Sequence, residues 1–178
     1  MKFQRRQSNI KGNKTTPIQP NTDILCNKTA HINKLWCILN RRMNDKIGAY
    51  KSPGMVHGFD FIFEGEIRFG PTYYKLMLDR ELVKNRIFGF EFKWHPESKY
   101  LALQEWLTTD YQKGPITALT LVDLKTRKFA KISKAEKGFI KPLKFENDLI
   151  IYEKEYFGTD KKGEFEIVLD KIENWENE

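Results

Sequence analysis

The chain has little of what catalysis and metal binding most often need. Its 178 residues include two cysteines, Cys26 and Cys37, and three histidines, His31, His57 and His95. Two cysteines cannot build a disulfide framework, so a reduced pair in the cytoplasm is expected. No two histidines have metal-ligand spacing, and neither cysteine falls in a CxxC or beside a histidine. HPE at 95–97 is half of a zinc-deaminase motif, but no PCxxC follows and the segment reads as a turn. Cys37, inside LWCIL, reads as a small hydrophobe expected to be buried, and the sequence shows no electropositive surroundings of the kind that activate a thiol. The eleven glycines are dispersed, and neither a GxGxxG nor a GxxxxGK phosphate loop nor a GxSxG elbow occurs. No apolar run approaches the roughly 20 residues of a membrane helix, and MKFQRRQSNIKGNK lacks the apolar stretch of a secretory signal. The residues therefore predict no enzyme, no cofactor, no metal site and no membrane insertion, in a cytoplasmic protein.

What is plentiful is charge and aromatic surface: 31 Lys and Arg stand against 24 Asp and Glu, a net +7, with 13% Phe, Trp and Tyr. That excess invites a nucleic-acid reading until it is located. Residues 1–50 hold ten basic and two acidic groups, a net +8, whereas residues 51–178 carry −1. Within the latter, 125–144 carries +7 and 145–178 carries −7. A DNA-binding domain usually shows an uncompensated basic stripe on its folded surface. Opposed blocks that cancel fit solvated faces and protein docking better. A nucleic-acid or polyanion-binding accessory module working through the arm is the alternative, with aromatic side chains to stack bases; without an RNA-binding signature, nucleic acid ranks behind a protein partner.

Residues 1–25 contain few large apolar groups and are expected to form a flexible basic arm. Residues 26–178 are expected to make one β-rich domain, with a helical segment in 26–50. There Ile32, Leu35, Trp36, Leu39, Met43 and Ile47 recur at spacings of three and four, between a Thr29 cap and a Gly48 stop. A strand through LWCIL competes with that helix.

After Gly54 the period changes to two. GFDFIF, FEFKW, YLALQEW, ITALTLVDL, FAKI, LKFE, LIIYEKEY and EFEIVLD are separated by HPESK, DYQKGP, DLKTRK, ENDL and GTDKKG. Short strands between turn-rich clusters predict an antiparallel β domain. FEFKW to ITALTLVD is echoed by LKFE to EFEIVLD, with a looser copy from GFDFIF to YYKLMLD.

WHPESKYLAL, followed by a hairpin ending in VDL, resembles the strand–turn–strand signature of β-propeller blades. It covers about residues 88–132 and, more faintly, 139–170. A ring needs about four or more blades of roughly 40–50 residues, so the expected architecture is mainly β, with propeller-blade-like antiparallel sheets in an open stack. LWCILNRR, GFDF, RFGP, LQEW and GFI are similar to stretches of small bacterial proteins encoded beside Rhs-type polymorphic toxins. That resemblance implies an immunity protein whose partner is a cognate toxin, and a net positive charge points away from a nuclease target.

Carboxylates are the remaining catalytic option. Asp60, Glu64 and Glu66 cluster near Arg68, and Glu153, Glu155, Glu164 and Glu166 alternate with apolar residues. A glycosidase needs two carboxyls in a cleft with separated pKa values, whereas alternation describes one face of a sheet. Lys154, Lys161, Lys162 and Lys171 are the nearby lysines able to compensate that face. For partner binding, two loops are singled out: the one after Trp106, with Asp110 and Tyr111, and the one spanning 156–163, with Tyr156 and Asp160.

Overall fold

A computed structural model describes residues 49–178 apart from Phe69 and Asp160. The arm at 1–25, the helix expected at 30–47, both cysteines and His31 lie outside the described residues. Tyr50, the last residue of the 26–50 segment, is in a strand rather than a helix.

Eleven strands follow: β1 (Tyr50–Lys51), β2 (Gly58–Glu66), β3 (Thr72–Leu78), β4 (Glu81–Leu82), β5 (Ile87–Trp94), β6 (Tyr100–Trp106), β7 (Ile116–Asp123), β8 (Lys128–Glu136), β9 (Gly138–Glu146), β10 (Leu149–Tyr156) and β11 (Lys162–Val168). They form one open sheet in the order β1-β2-β3-β5-β6-β7-β9-β10-β11, with β4 on β3 and β8 on β7. Every pairing is antiparallel except a single parallel contact of β7 with β9 through Ile116 and Gly138, so the sheet is mixed. The three β units distinguished in the sequence thus share one sheet, and no propeller ring forms among the described residues.

Turn chemistry sets the connections. Asp79 and Arg80 both have positive φ (48° and 71°), the conformation of the two-residue hairpin turn whose twist matches its strands. Asp123 accepts from the backbone N–H groups of Lys125 (2.9 Å) and Thr126 (3.2 Å), closing the β7–β8 turn. In HPESK the His95 N–H donates to the Tyr100 carbonyl and the Ser98 N–H to that of His95, both at 2.9 Å. The turn expected there is present.

β6 and β7 are buried on both faces. Leu101, Leu103 and Val122 pack with Phe59, Leu76, Leu78, Phe88 and Phe129 on one side. Ala102, Leu119 and Leu121 pack with Ile140, Ile150 and Tyr152 on the other. A strand covered twice loses the apolar–polar alternation, which is why YLALQEW and ITALTLVD read as almost continuous apolar runs. Each large side chain so buried contributes about 1.5–3 kcal/mol.

Inside this double cover lies one carboxylate, Glu105, 4% exposed. Its oxygens accept from Arg86 Nη1 at 3.1 and 2.9 Å and from the Thr120 hydroxyl at 2.5 Å. The Arg86 guanidinium lies 4.8 Å above the Phe129 ring and reaches Glu176 at 3.1 Å. Glu176 in turn bridges the Phe129 backbone in both directions, at 2.9 and 2.8 Å. The C-terminal segment is thereby clipped across β8 by the arginine that neutralises the core carboxylate.

Removing one partner of a buried ion pair strands the other. Glu105→Ala should therefore destabilise the fold by about 3–5 kcal/mol in urea denaturation, while Lys99→Ala, which breaks only an exposed pair with Glu97, should leave the urea midpoint nearly unchanged.

His95 gives a pH signature. Burial between Tyr100 and Phe145 holds its pKa below the usual histidine value, against the opposing pull of Glu97 and with a smaller push from Lys99. Its Nδ1 accepts from the Glu97 N–H at 3.2 Å, a bond that protonation removes. The unfolded state takes up the proton first, so stability falls as pH drops through about 6.5 toward the lower folded value. In urea melts between pH 5 and 7.5, His95→Asn should flatten that slope, since an asparagine carbonyl keeps the turn bond without titrating.

Candidate functional site

Two of the loops picked from sequence meet at one place. β6 ends at Trp106, and the chain then folds into a short 3₁₀ turn at Tyr111–Lys113. Asp110 caps that turn: its carboxylate accepts from the Gln112 N–H at 3.0 Å, and its own N–H donates to the Thr108 hydroxyl at 3.0 Å. Gly114 ends it at φ 72°, a left-handed conformation that suits glycine. Asp110 thus orients Tyr111, which is 62% exposed.

From the other side, β10 delivers Phe157, 66% exposed, whose N–H donates to the Lys137 carbonyl at 2.7 Å. The β2–β3 turn adds Ile67, Arg68, Gly70 and Pro71 as a third wall. Trp106, 4% exposed and edge-on to Phe139 with ring centroids 5.8 Å apart, lies at the inner side. Together these residues enclose an apolar pocket of about 120 Å³. That is the size of one ring-bearing side chain, well below the several hundred Å³ of a typical cofactor site.

Pro71 and Phe139 are shared with a second hollow of about 250 Å³. It is walled by Gly89, Phe90 and Glu91 of β5, Gln104 of β6, Phe139 and Lys141 of β9, and Glu153 and Glu155 of β10. The corner exists because β9 meets β6 and β7 through side chains rather than a continuous ladder. The Thr117 hydroxyl donates to the Gly138 carbonyl (3.0 Å) and accepts from the Ile140 N–H (2.9 Å), while Gln104 Nε2 donates to the Ile140 carbonyl (2.6 Å). Gly89 makes room for Gln104: a Cβ there would collide with the amide.

The site residues expected from sequence thus divide. Trp106, Asp110 and Tyr111 line the apolar pocket. Tyr156 stands beside it, paired with Gly138 in the ladder, and is half-buried. Asp160 lies outside the described residues. Phe157 was missed; the signal for it was an aromatic residue leaving a strand next to a glycine. Glu153 and Glu155, read from sequence as one sheet face, form a groove wall, and Lys162 approaches them at 4.0 and 3.0 Å.

Other expected clusters do other things. Glu64 pairs with Lys75 at 2.8 Å, and Asp60 accepts from the Ala49 N–H at 2.6 Å. His57 Nδ1 sits 2.7 Å from Asp79, whose other oxygen accepts from the Gly58 N–H at 2.9 Å, bracing the start of β2. Among the described residues no group of three or more His, Cys, Asp or Glu is arranged to hold a metal ion, and no helix is long and apolar enough to cross a membrane.

The pocket separates rim from floor. Tyr111→Ala and Phe157→Ala should each leave stability within about 0.5 kcal/mol of the unmodified protein. Trp106→Ala should cost about 3–5 kcal/mol. Chemical denaturation of the three variants checks the contrast.

No family model, no curated protein and no solved structure matches this chain.

Proposed function

We propose that the chain is an immunity protein that binds a cognate bacterial toxin in the cytoplasm and neutralises it by occluding its working surface. The observation that carries this reading is the meeting of the 106–115 loop and the segment after β10 around one apolar pocket, with Tyr111 and Phe157 exposed at its rim. A small apolar pocket with aromatic residues around it is how the energetic centre of a protein–protein interface is built. The two loops follow β6 and β10, strands far apart in the chain.

The fold agrees with a docking role. The meander β5 to β8 lies between apolar contributions from β2–β3 on one face and from β9–β10 on the other. Such a scaffold holds loops at its ends without needing them for the core. The implied chemistry is binding rather than turnover. The pocket takes an anchor side chain from the toxin, and the loops around it exclude water and substrate.

Co-expression with the product of the adjacent gene, followed by pull-down and a growth-rescue assay, tests the reading. The unmodified protein should form the complex and restore growth. Tyr111→Ala combined with Phe157→Ala should weaken binding about 30-fold or more, as loss of an interface centre does, and should abolish rescue while the protein stays folded. Absence of both complex and rescue with the unmodified chain overturns it.

A further inference from the structure

The two hollows share a wall, yet they differ in character. The first is lined almost wholly by apolar groups, with one Arg and one Asp among its residues. The second presents three carboxylates, Glu91, Glu153 and Glu155, against one ammonium group, Lys141. Lys141 is drawn to Glu91 at 3.4 Å, and Lys162 is shared between Glu155 at 3.0 Å and Glu153 at 4.0 Å. Glu153 therefore has the longest of these contacts, with Lys141, which turns to Glu91, opposite it in the β9–β10 register, and its side chain is 28% exposed. A carboxylate held in a concave wall with a distant, shared partner favours a cation brought from outside.

Spacing selects the form of that cation. Pro71 and Phe139 belong to both hollows, which are therefore contiguous across one shared wall. In an extended chain, residues i and i+2 project on the same side about 7 Å apart. We propose that this groove takes an extended segment of a partner protein in which a phenylalanine-sized apolar side chain fills the pocket beside Trp106 and an arginine two residues away lies against Glu153 and Glu155. The inference rests on the protein-binding reading above and adds the chemistry of the bound segment. Arginine suits the wall better than lysine, because its planar fork can engage two carboxylates at once.

The test uses the full chain labelled with ¹⁵N and titrated with acetyl-Gly-Phe-Gly-Arg-Gly-amide. Two comparison peptides carry Glu in place of Arg, or Gly in place of Phe. The Phe/Arg peptide should shift the Trp106 indole and Gly89 amide resonances and bind at least tenfold more tightly than either comparison. In the double variant Glu153→Gln with Glu155→Gln the preference for Arg over Glu should fall at least tenfold, and the pocket shifts caused by Phe should persist. Equal binding of the three peptides, or shifts confined to another surface, overturns the proposal. Undiminished capture of the toxin partner by the double variant overturns it too and leaves the immunity reading standing. Selective peptide binding in a protein that captures no toxin does the reverse.

Discussion

Covering β6 and β7 on both faces is the constraint from which the rest of the molecule follows. A hairpin with apolar groups on both sides cannot sit at a surface. β2 and β3 must therefore close over Leu101, Leu103 and Val122, and β9 and β10 over Ala102, Leu119 and Leu121. The same constraint makes each polar group in the hairpin costly, because an unsatisfied buried group forfeits about 1–3 kcal/mol. Glu105, Thr120, Gln104 and Thr117 are spoken for, by Arg86, by one another, or by the backbone of β9, whereas the buried Trp106 indole N–H has no hydrogen-bond partner among the described residues. Polar residues inside the sheet thus act as connectors between layers.

The opposed charge blocks are placed by the same architecture. The basic run falls on β8 and β9 and the acidic run on β10 and beyond, so that Lys141 and Glu153 face each other in the β9–β10 register. Several exposed pairs are purely local: Lys134 with Glu136, and Lys144 with Glu146. Exposed pairs of this kind add little to stability. The hollow beside Phe139 carries three carboxylates, Glu91, Glu153 and Glu155.

Most strands were legible in the amino-acid sequence because period-two aromatics and turn clusters are local signals. Phe59 and Phe61 against Asp60, or Asp123 at the head of a turn, need no knowledge of the rest of the chain. The short β1 and β4 were not legible: two residues carry no period. Neither was the clip formed by Arg86 and Glu176, since the partners are 90 residues apart and each alone looks like an ordinary surface charge. At the site, the loop aromatics Trp106 and Tyr111 stood out by type and position. Their meeting with Phe157 depends on how β9 and β10 turn back over β6, which no local pattern encodes. The carboxylate of Asp110 is occupied in shaping its own loop.

Thr117 spends both capacities of its hydroxyl on β9, giving to Gly138 and receiving from Ile140. One oxygen atom thereby replaces two rungs of a strand ladder and fixes the angle at which the second half of the sheet departs. The groove wall is consequently fixed by the fold itself. For the partner proposed above, association would cost little conformational entropy in the walls, with the exposed rim aromatics among the side chains that lose rotamer freedom. Binding of that proposed partner is expected to be by rigid fit, its free and occupied backbones superimposing closely.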